Sequence, residues 1–429
     1  MAKVGSERSA NLSSFLGLDN RRPDFKLHTE DGEFLRAAAN VDISDALTVK
    51  RRQGTTRAIA GARCHSLWTD YKTGSSFYVD AGNLYQVRAS TGGEPERFVA
   101  AANVGDRPLS FAGIDEEIVF SDGGSLRTIV AGWGVARQFG IDPPNVIPTL
   151  LPLGGGSGSL DAGSYAVGIA YRNEWNEYSG MADAVFETVE AKGALVVAGL
   201  PLVWPTGVVE LVIYAAPSAA GALFKATSVS APTASVTLTT IPSRGQTAST
   251  MGFISLPAGN ILRYWGSRMY SAAGDTLWYS RPFSPALCNP GRDYIQLLAP
   301  ITVMEPCDNG MFIVADRTYW LSDDPEKATL VTVSPLKGLA YSSGIFDVDN
   351  KPRCYWMTDH GLVVGSPDGS IELVQDEHVF MQGGQVGASL FREADGARQI
   401  ISSVFGAGQS VTAARSYMDA EIVRKGTSV

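Results

Sequence analysis

The sequence predicts an all-β protein, a β-propeller of about six blades interrupted by an inserted antiparallel β-sandwich. Three observations lead there. A short hairpin pattern recurs, its spacing matches one four-stranded blade, and a single interval is far too long for that spacing. The pattern is two or three apolar or aromatic residues, a tight turn rich in Asp, Gly or Asn, then another apolar pair. It occurs as SFYVDAGNLYQV from Ser76, EIVFSDGGSLRTI from Glu117, RMYSAAGDTLWYS from Arg268, GMFIVADRTYWLS from Gly310 and CYWMTDHGLVVGS from Cys354, with a weaker sixth copy from Ala388. Aromatic and β-branched residues fit a pleated surface, and Ala-Gly-Asn or Asp-Gly-Gly supply the positive φ of a hairpin turn.

Each hairpin follows another apolar segment, as in HSLWTD, PLSFAGI, ILRYWG and ITVMEP, so a unit holds at least three strands. Starts fall 41, 42 and 44 residues apart within the two series, near the period of a propeller blade. The stretch from Phe34 to Val49 is the candidate for a strand that completes the last blade. Between Glu117 and Arg268 the interval is 151 residues. GIDPPNVIPTLLPLGGGSGSLDAG opens it as a linker, and strands follow in GSYAVGIAYRNEWNEYSG, DAVFETVEA, ALVVAGL, VVELVIYAAPS, LFKATSV and SVTLTTI. Their alternation and total length fit a small sandwich, and the order of a Tyr-bearing strand, a polar loop and a later strand before a turn resembles fibronectin type III-like modules. The expected organisation is an N-terminal arm (1–33), propeller (34–142), sandwich (143–257), propeller (258–406) and C-terminal tail (407–429). Ala413 to Lys425 reads as a short helix, with Tyr417 and Ile422 apolar among charges.

Composition narrows the function. With 429 residues, 45% hydrophobic and a formal charge of −9, the chain can bury a large core but has little clustered cation for gripping phosphates. Cys64, Cys288, Cys307 and Cys354 are widely spaced and lack a CxxC pattern, which points to a reducing compartment. The N-terminal residues show no apolar signal region, and no apolar run reaches the length of a membrane span. His28, His65, His360 and His378 are not at metal-ligand spacing, so no metal site is expected. Asp115-Glu116-Glu117, Asp323-Asp324 and Asp347-x-Asp349-Asn350 suit turns better than a paired acid and base. GGGSGS lacks the Gly-Lys-Ser/Thr of a phosphate loop, and no cofactor is expected. The pairs Tyr264-Trp265, Trp278-Tyr279, Tyr319-Trp320 and Tyr355-Trp356 recur at equivalent points and are read as packing between blades.

Two stretches carry a family resemblance. GLDNRRPDFKL…FLRAAANVDISDALTVKRRQGTTR, with Gly17, Pro23, Asn40, Arg51, Arg52 and Gly54, resembles the opening of tail nozzle (tail tubular B, tail hub) proteins of short-tailed bacteriophages. A second stretch from Asn260, with Arg268, Tyr270, Tyr279, Ser280, Arg281, Asn289 and Pro290, is similar to a later run in that family. Together they span about a quarter of the chain; the chain is short for the family and carries one inserted module. The resemblance implies no catalysis. It implies a virion protein made in the host cytoplasm and built into a hexameric ring beneath an adaptor and portal, with fibres or spikes attached. DNA would pass its lumen without specific binding, and Asp and Glu would dominate the lumen-facing positions. The rival class is a propeller that binds or hydrolyses glycans.

The interface candidates are Arg22, Arg51, Arg52, Arg268 and Arg281. In NVDISDALTVKRRQ, Val41, Ile43, Leu47 and Val49 form the apolar side of two short strands joined by a Ser-Asp turn. Arg51 and Arg52 then stand where the chain enters the first blade, and a bidentate Arg–carboxylate pair across a blade or subunit boundary would fix that strand.

Overall fold

Strands carry the architecture of the computed structural model, which describes residues 14–38, 41–43, 47–52, 59–70, 72–88, 95–130, 134–327, 329–348, 351–374, 378, 384–394, 397–406 and 420–424. Among these, the helical element is a single 3-10 turn, Asp24–Lys26. Two compact units form: Met1–Ala60 with Leu297–Val429, and Gly61–Gln296.

The unit Gly61–Gln296 holds three blade sheets of the β-propeller class. Blade one runs Cys64–Thr69, Ser76–Asp80, Asn83–Arg88 and Glu96–Ala101, each strand antiparallel to the next. Blade two has Ser110–Ile114, Glu117–Ser121, Leu126–Val130 and Arg137–Gln138. Blade three has Ile261–Trp265, Arg268–Ala273, Thr276–Tyr279 and Tyr294–Gln296. The other unit holds blade four (Val303–Cys307, Gly310–Val314, Thr318–Leu321, Leu330–Ser334) and blade five (Gly344–Val348, Lys351–Thr358, Gly361–Gly365, Ile371–Leu373). Its sixth sheet pairs Gly384–Ala394, Ala397–Gly406 and Ala420–Arg424. All six recurring hairpins are therefore present. In the first, Ala81 and Gly82 both adopt positive φ (50° and 79°), the geometry of a type I′ turn.

Alternation in these strands does not separate core from solvent. In Glu117–Ser121, Ile118 and Phe120 pack with Phe77, Val79 and Phe111 of blades one and two, whereas Val119 packs with Leu262 and Met269 of blade three. In Lys351–Thr358, Cys354 and Trp356 face blade four while Tyr355 and Met357 join Phe391 and Ile400 of the sixth sheet. The second strand of a blade is thus buried on both faces, and period two assigns each side chain to one neighbour or the other. Fourth strands such as Leu330–Ser334 remain partly open.

The insertion is a two-layer antiparallel sandwich. One sheet orders Thr149–Leu153, Ala194–Ala198 and Ser235–Leu238; the other orders Val185–Val189, Gly163–Asn173, Val208–Pro217 and Phe224–Val229. Tyr165, Val167, Ile169 and Tyr171 point between the layers with Leu195, Val197, Leu211 and Ile213. The opposite face, with Ala166 and Ala170, is covered by Met181 and Leu223. A Cβ at Gly168 would stand 2.5 Å from Met181 Sδ, so a larger residue there would force the methionine to shift. Thr149–Leu153, expected as linker, is a strand; it lies at the edge of its sheet, where Pro152 is tolerated.

Two further expectations are corrected. The span Phe34–Val49 does not complete the last blade among the described residues. Glu33–Leu35 pairs in parallel with Phe15–Leu18, and Val41–Ile43 pairs with Val49–Arg51, Ile43 facing Val49 across the ladder. The Ser-Asp turn lies outside the described residues. The C-terminal helix is also absent where it can be seen: Ala420–Arg424 is a strand added to Ala397–Gly406. A sheet edge offering unpaired N–H and C=O groups outweighs the weak helical pattern of Ala-Glu-Ile-Val-Arg.

Trp356 is fully buried, with its ring 5.2 Å from that of Phe312 in the neighbouring blade. Trp356→Ala should cost about 3–5 kcal/mol in denaturant unfolding, the range for deleting a large buried aromatic. A loss under about 1 kcal/mol would show that the blade boundary does not rest on this contact.

Candidate anchoring and assembly sites

The five candidate arginines fall into separate places. Arg51 is exposed at the end of its strand, and Arg52 Nε lies 3.4 Å from Asp42 Oδ1 on the facing strand of the same hairpin. Among the described residues, the carboxylate that meets Arg52 thus belongs to its own hairpin and not to another blade. The N-terminal segment is secured elsewhere. Asp19 is buried and accepts hydrogen bonds from the backbone N–H of Arg22 (2.9 Å) and Arg21 (3.1 Å), with His378 Nδ1 at 3.0 Å. Arg22 Nε lies 3.3 Å from the same carboxylate, and its guanidinium lies 5.7 Å from the ring of Phe34, which stacks on His378 at 4.8 Å. Burial pushes the Asp19 carboxyl up, but the Arg22 N–H, the His378 ring and the Arg21 N–H favour the anion and hold it below its ordinary range.

The second family-like stretch folds into blade three as one hydrogen-bonded unit. Arg268, only 2% exposed, donates from Nη1 to the Ser280 carbonyl at 2.7 Å and lies 5.5 Å from the Tyr279 ring. Ser280 and Met269 exchange bonds: each N–H is donated, one to the Met269 carbonyl (2.8 Å) and one to Ser280 Oγ (2.9 Å). The Tyr279 hydroxyl donates to the Arg292 carbonyl, and Asn289 N–H donates to Asp293 Oδ2 at 2.7 Å, closing the Asn-Pro-Gly turn. Arg281 donates to the Ser249 carbonyl at 2.7 Å and lies 5.2 Å from the Phe253 ring, tying the chain that leaves the sandwich to the blade. Arg268 is thus a core residue with no face for a neighbouring subunit. Arg281 acts between two parts of its own chain. Asn40 and Gly54 lie outside the described residues.

A fixed bidentate arginine does exist, at a position the sequence did not single out. Arg137, on the last strand of blade two, donates from Nη1 and Nη2 to the two carboxylate oxygens of Glu177 in the sandwich loop at 3.0 and 3.1 Å. Nη2 also donates to Glu117 Oε1 of its own blade at 2.8 Å, and Trp175 covers the guanidinium at 4.2 Å. Thr128 donates to the other oxygen of Glu117, and Asn173 Nδ2 donates to the Glu177 Oε2 that Arg137 Nη1 also meets, so both carboxylates are oriented by neighbours of their own. Burial would weaken the charge on Arg137, but Glu177 and then Glu117 more than restore it. At the base of the insertion the Ser255 hydroxyl donates to Asp142, joining the two ends of the sandwich. The legible cue was the polar loop RNEWNEYSG; nothing local pairs Glu177 with an arginine 40 residues away.

Each histidine has a polar neighbour: His28 with Glu33, His65 with Ser66, His360 with Asp359 and His378 with Asp19. Among the described residues, no group of three or more His, Cys, Asp or Glu could hold a metal ion, and no helix is long and apolar enough to cross a membrane.

These sheets place the chain in the β-propeller class with an inserted sandwich. No family model and no curated protein matches it. It is similar in structure to BBS1N in complex with ARL6DN at 12% identity and a TM-score of 0.33, over 82% of this chain and 93% of that one. It is also similar to the gluconolactonase XC5397 from Xanthomonas campestris at 9% identity and a TM-score of 0.32, over 80% and 84% of the two chains. The AfRom2 CNH domain gives 6% identity and a TM-score of 0.26, over 81% and 92%.

If Arg137 clamps the sandwich to blade two, a double-mutant cycle of Arg137→Ala and Glu177→Gln should return a coupling of about 1–3 kcal/mol, and Arg137→Lys should recover little of it. Additive single losses would remove the clamp. The Asp19 site predicts a pH dependence of fixed sign. Its stabilising effect is complete above the unfolded carboxyl pKa of about 3.9 and is lost as pH falls through the lower folded value. The stability gap between wild type and Asp19→Asn should therefore be constant near neutrality and shrink on acidification below about pH 4. A gap that widens in acid would contradict the assignment.

Proposed function

We propose that the chain is a structural virion protein, a tail nozzle or hub subunit of a short-tailed bacteriophage. Copies of it would form a ring-shaped conduit below the portal and adaptor, closing the channel before infection and opening for genome ejection. The observation that carries this reading is the ordered pair of family-like stretches, the second of which is a single interlocked unit. Arg268, Tyr279, Ser280 and Arg281 join two strands, a turn and the exit of the insertion. Residues used in this way suit a part whose work is to keep its shape under force.

Two physical features support it. The sandwich is clamped to a blade through a half-buried arginine and two oriented carboxylates, so it serves as a rigid projection for contacts with fibres, spikes or a neighbouring copy. The net charge of −9 suits a channel that DNA must slide through without binding. The partners in this reading are further copies of the chain, the adaptor, and tail fibre or spike proteins, and the location is the virion tail.

Purified protein mixed with the adaptor should give six-fold rings in negative-stain images. A species that stays monomeric with adaptor and binds or degrades polysaccharide would replace this reading with the glycan-directed propeller.

A further inference from the structure

Three pieces of blades four and five meet around an open pocket of about 420 Å³. Asp308 and Asn309 form the turn between the first two strands of blade four, Lys351 and Arg353 stand at the start of the second strand of blade five, and the turn Ser366 to Asp368 precedes its last strand. The size is within the range of about 300–1,000 Å³ for small-ligand sites, whose walls are mostly apolar. This pocket differs: among the described residues its one apolar lining residue is Pro367, and two cations share it with two carboxylates.

Both turns rest on a single indole. Trp320, in the third strand of blade four, is buried with its ring 4.5 Å from that of Phe312. A Cβ at Gly310, next to Asn309, would overlap the Trp320 ring, and a Cβ at Gly369, next to Asp368, would stand 2.8 Å from Trp320 Nε1. One turn from each blade is therefore held against the same side chain, which pre-organises the pocket. Asp368 Oδ1 accepts from the Ser370 hydroxyl at 2.6 Å and the Ser370 N–H at 3.0 Å. Those bonds, with the Arg353 charge acting in the same direction, hold the Asp368 carboxyl below its ordinary range, so it is an acceptor at neutral pH. Among the described residues, Arg353 Nε is buried without a hydrogen-bond partner. A guanidinium with an unmet donor at a pocket wall calls for an acceptor, and a planar carboxylate is the one its fork matches.

We propose that this pocket binds a hexuronic acid residue of an acidic polysaccharide. Arg353 and Lys351 take the sugar carboxylate, the first as a fork and the second as a point charge. The side-chain oxygens of Asp308, Asn309 and Asp368 accept from the ring hydroxyls. Charge and polarity select this class. A bare anion meets two like charges, a neutral sugar leaves both cations without a counter-charge, and the apolar side chain of a peptide finds little wall to pack on. Because the pocket is open, the polymer continues into solvent on either side of the bound residue. The site lies within blades four and five, so it is the same in a ring subunit and in a monomer.

Isothermal titration calorimetry on the full chain tests this, with galacturonate, mannuronate and guluronate trimers and a hyaluronan tetrasaccharide as probes. Maltotriose, citrate and poly-L-glutamate serve as the neutral sugar, the small anion and the acidic polypeptide. At least one uronic oligosaccharide should bind with a millimolar or lower Kd, and all three controls should bind at least about tenfold more weakly. Lys351→Gln and Asp308→Asn change exposed side chains, so both should keep the wild-type melting temperature while weakening the uronic probe by about tenfold. The proposal is overturned if none of the uronic probes binds at millimolar concentration, or if both folded variants bind as wild type does. Citrate or poly-L-glutamate binding as tightly as the best uronic probe would reduce the site to a general anion or acidic-peptide site and would also overturn it.

Discussion

A four-stranded sheet whose second strand is apolar on both faces cannot stand in water by itself, and the rest of this structure follows from that constraint. Ile118 and Phe120 need blade one while Val119 needs blade three. Trp356 needs blade four while Tyr355 and Met357 need the sixth sheet. Each blade is thus the apolar solvent of its neighbours, and burial of this kind, at roughly 25 cal/mol per Å² of apolar surface, dominates the energetics of the two units. Glycines mark where the approach is tightest. A Cβ at Gly365 would meet the Phe312 ring of the adjacent blade at 2.4 Å.

Apolar stacking is not directional, so polar contacts decide how the insertion sits on the stack in its unit. Arg137 binds Glu117 and Glu177 together, Arg281 holds the segment leaving the sandwich, and Asp142 with Ser255 joins the two ends of the excursion. Ser121 adds a buried bond to the Gly259 carbonyl where the chain returns to blade three. Such bonds to charged or buried partners are worth more than their number suggests, because an unpaired group left behind carries its full desolvation cost. The family-like stretch from Asn260 lies where these ties converge, which connects the proposed structural role to the geometry.

The hairpins, their spacing and the insertion were legible because they rest on local chemistry: alternation, Asp-Gly and Ala-Gly turns, and one interval too long for a blade. Arg52 and Arg137 show what was not. The sequence offers a charge cluster at Lys50-Arg51-Arg52 and a solitary Arg137, and it favoured the cluster. Burial and two oriented carboxylates distinguish Arg137, and both come from residues remote in the chain. Thr149–Leu153 and Ala420–Arg424 were misread for a related reason, since each becomes a strand by completing a sheet edge that a distant segment supplies. Arg268 was recognised as important, but its burial inside the blade could not be read from spacing.

Hydrogen–deuterium exchange resolved to single strands tests the central claim most directly. Mutual burial of blades predicts the slowest exchange in Ser76–Asp80, Glu117–Ser121, Gly310–Val314 and Lys351–Thr358, and much faster exchange in the open fourth strands Leu330–Ser334 and Glu96–Ala101. Fourth strands protected as strongly as second strands would contradict it, because the sheets would then be held by something other than the faces they share.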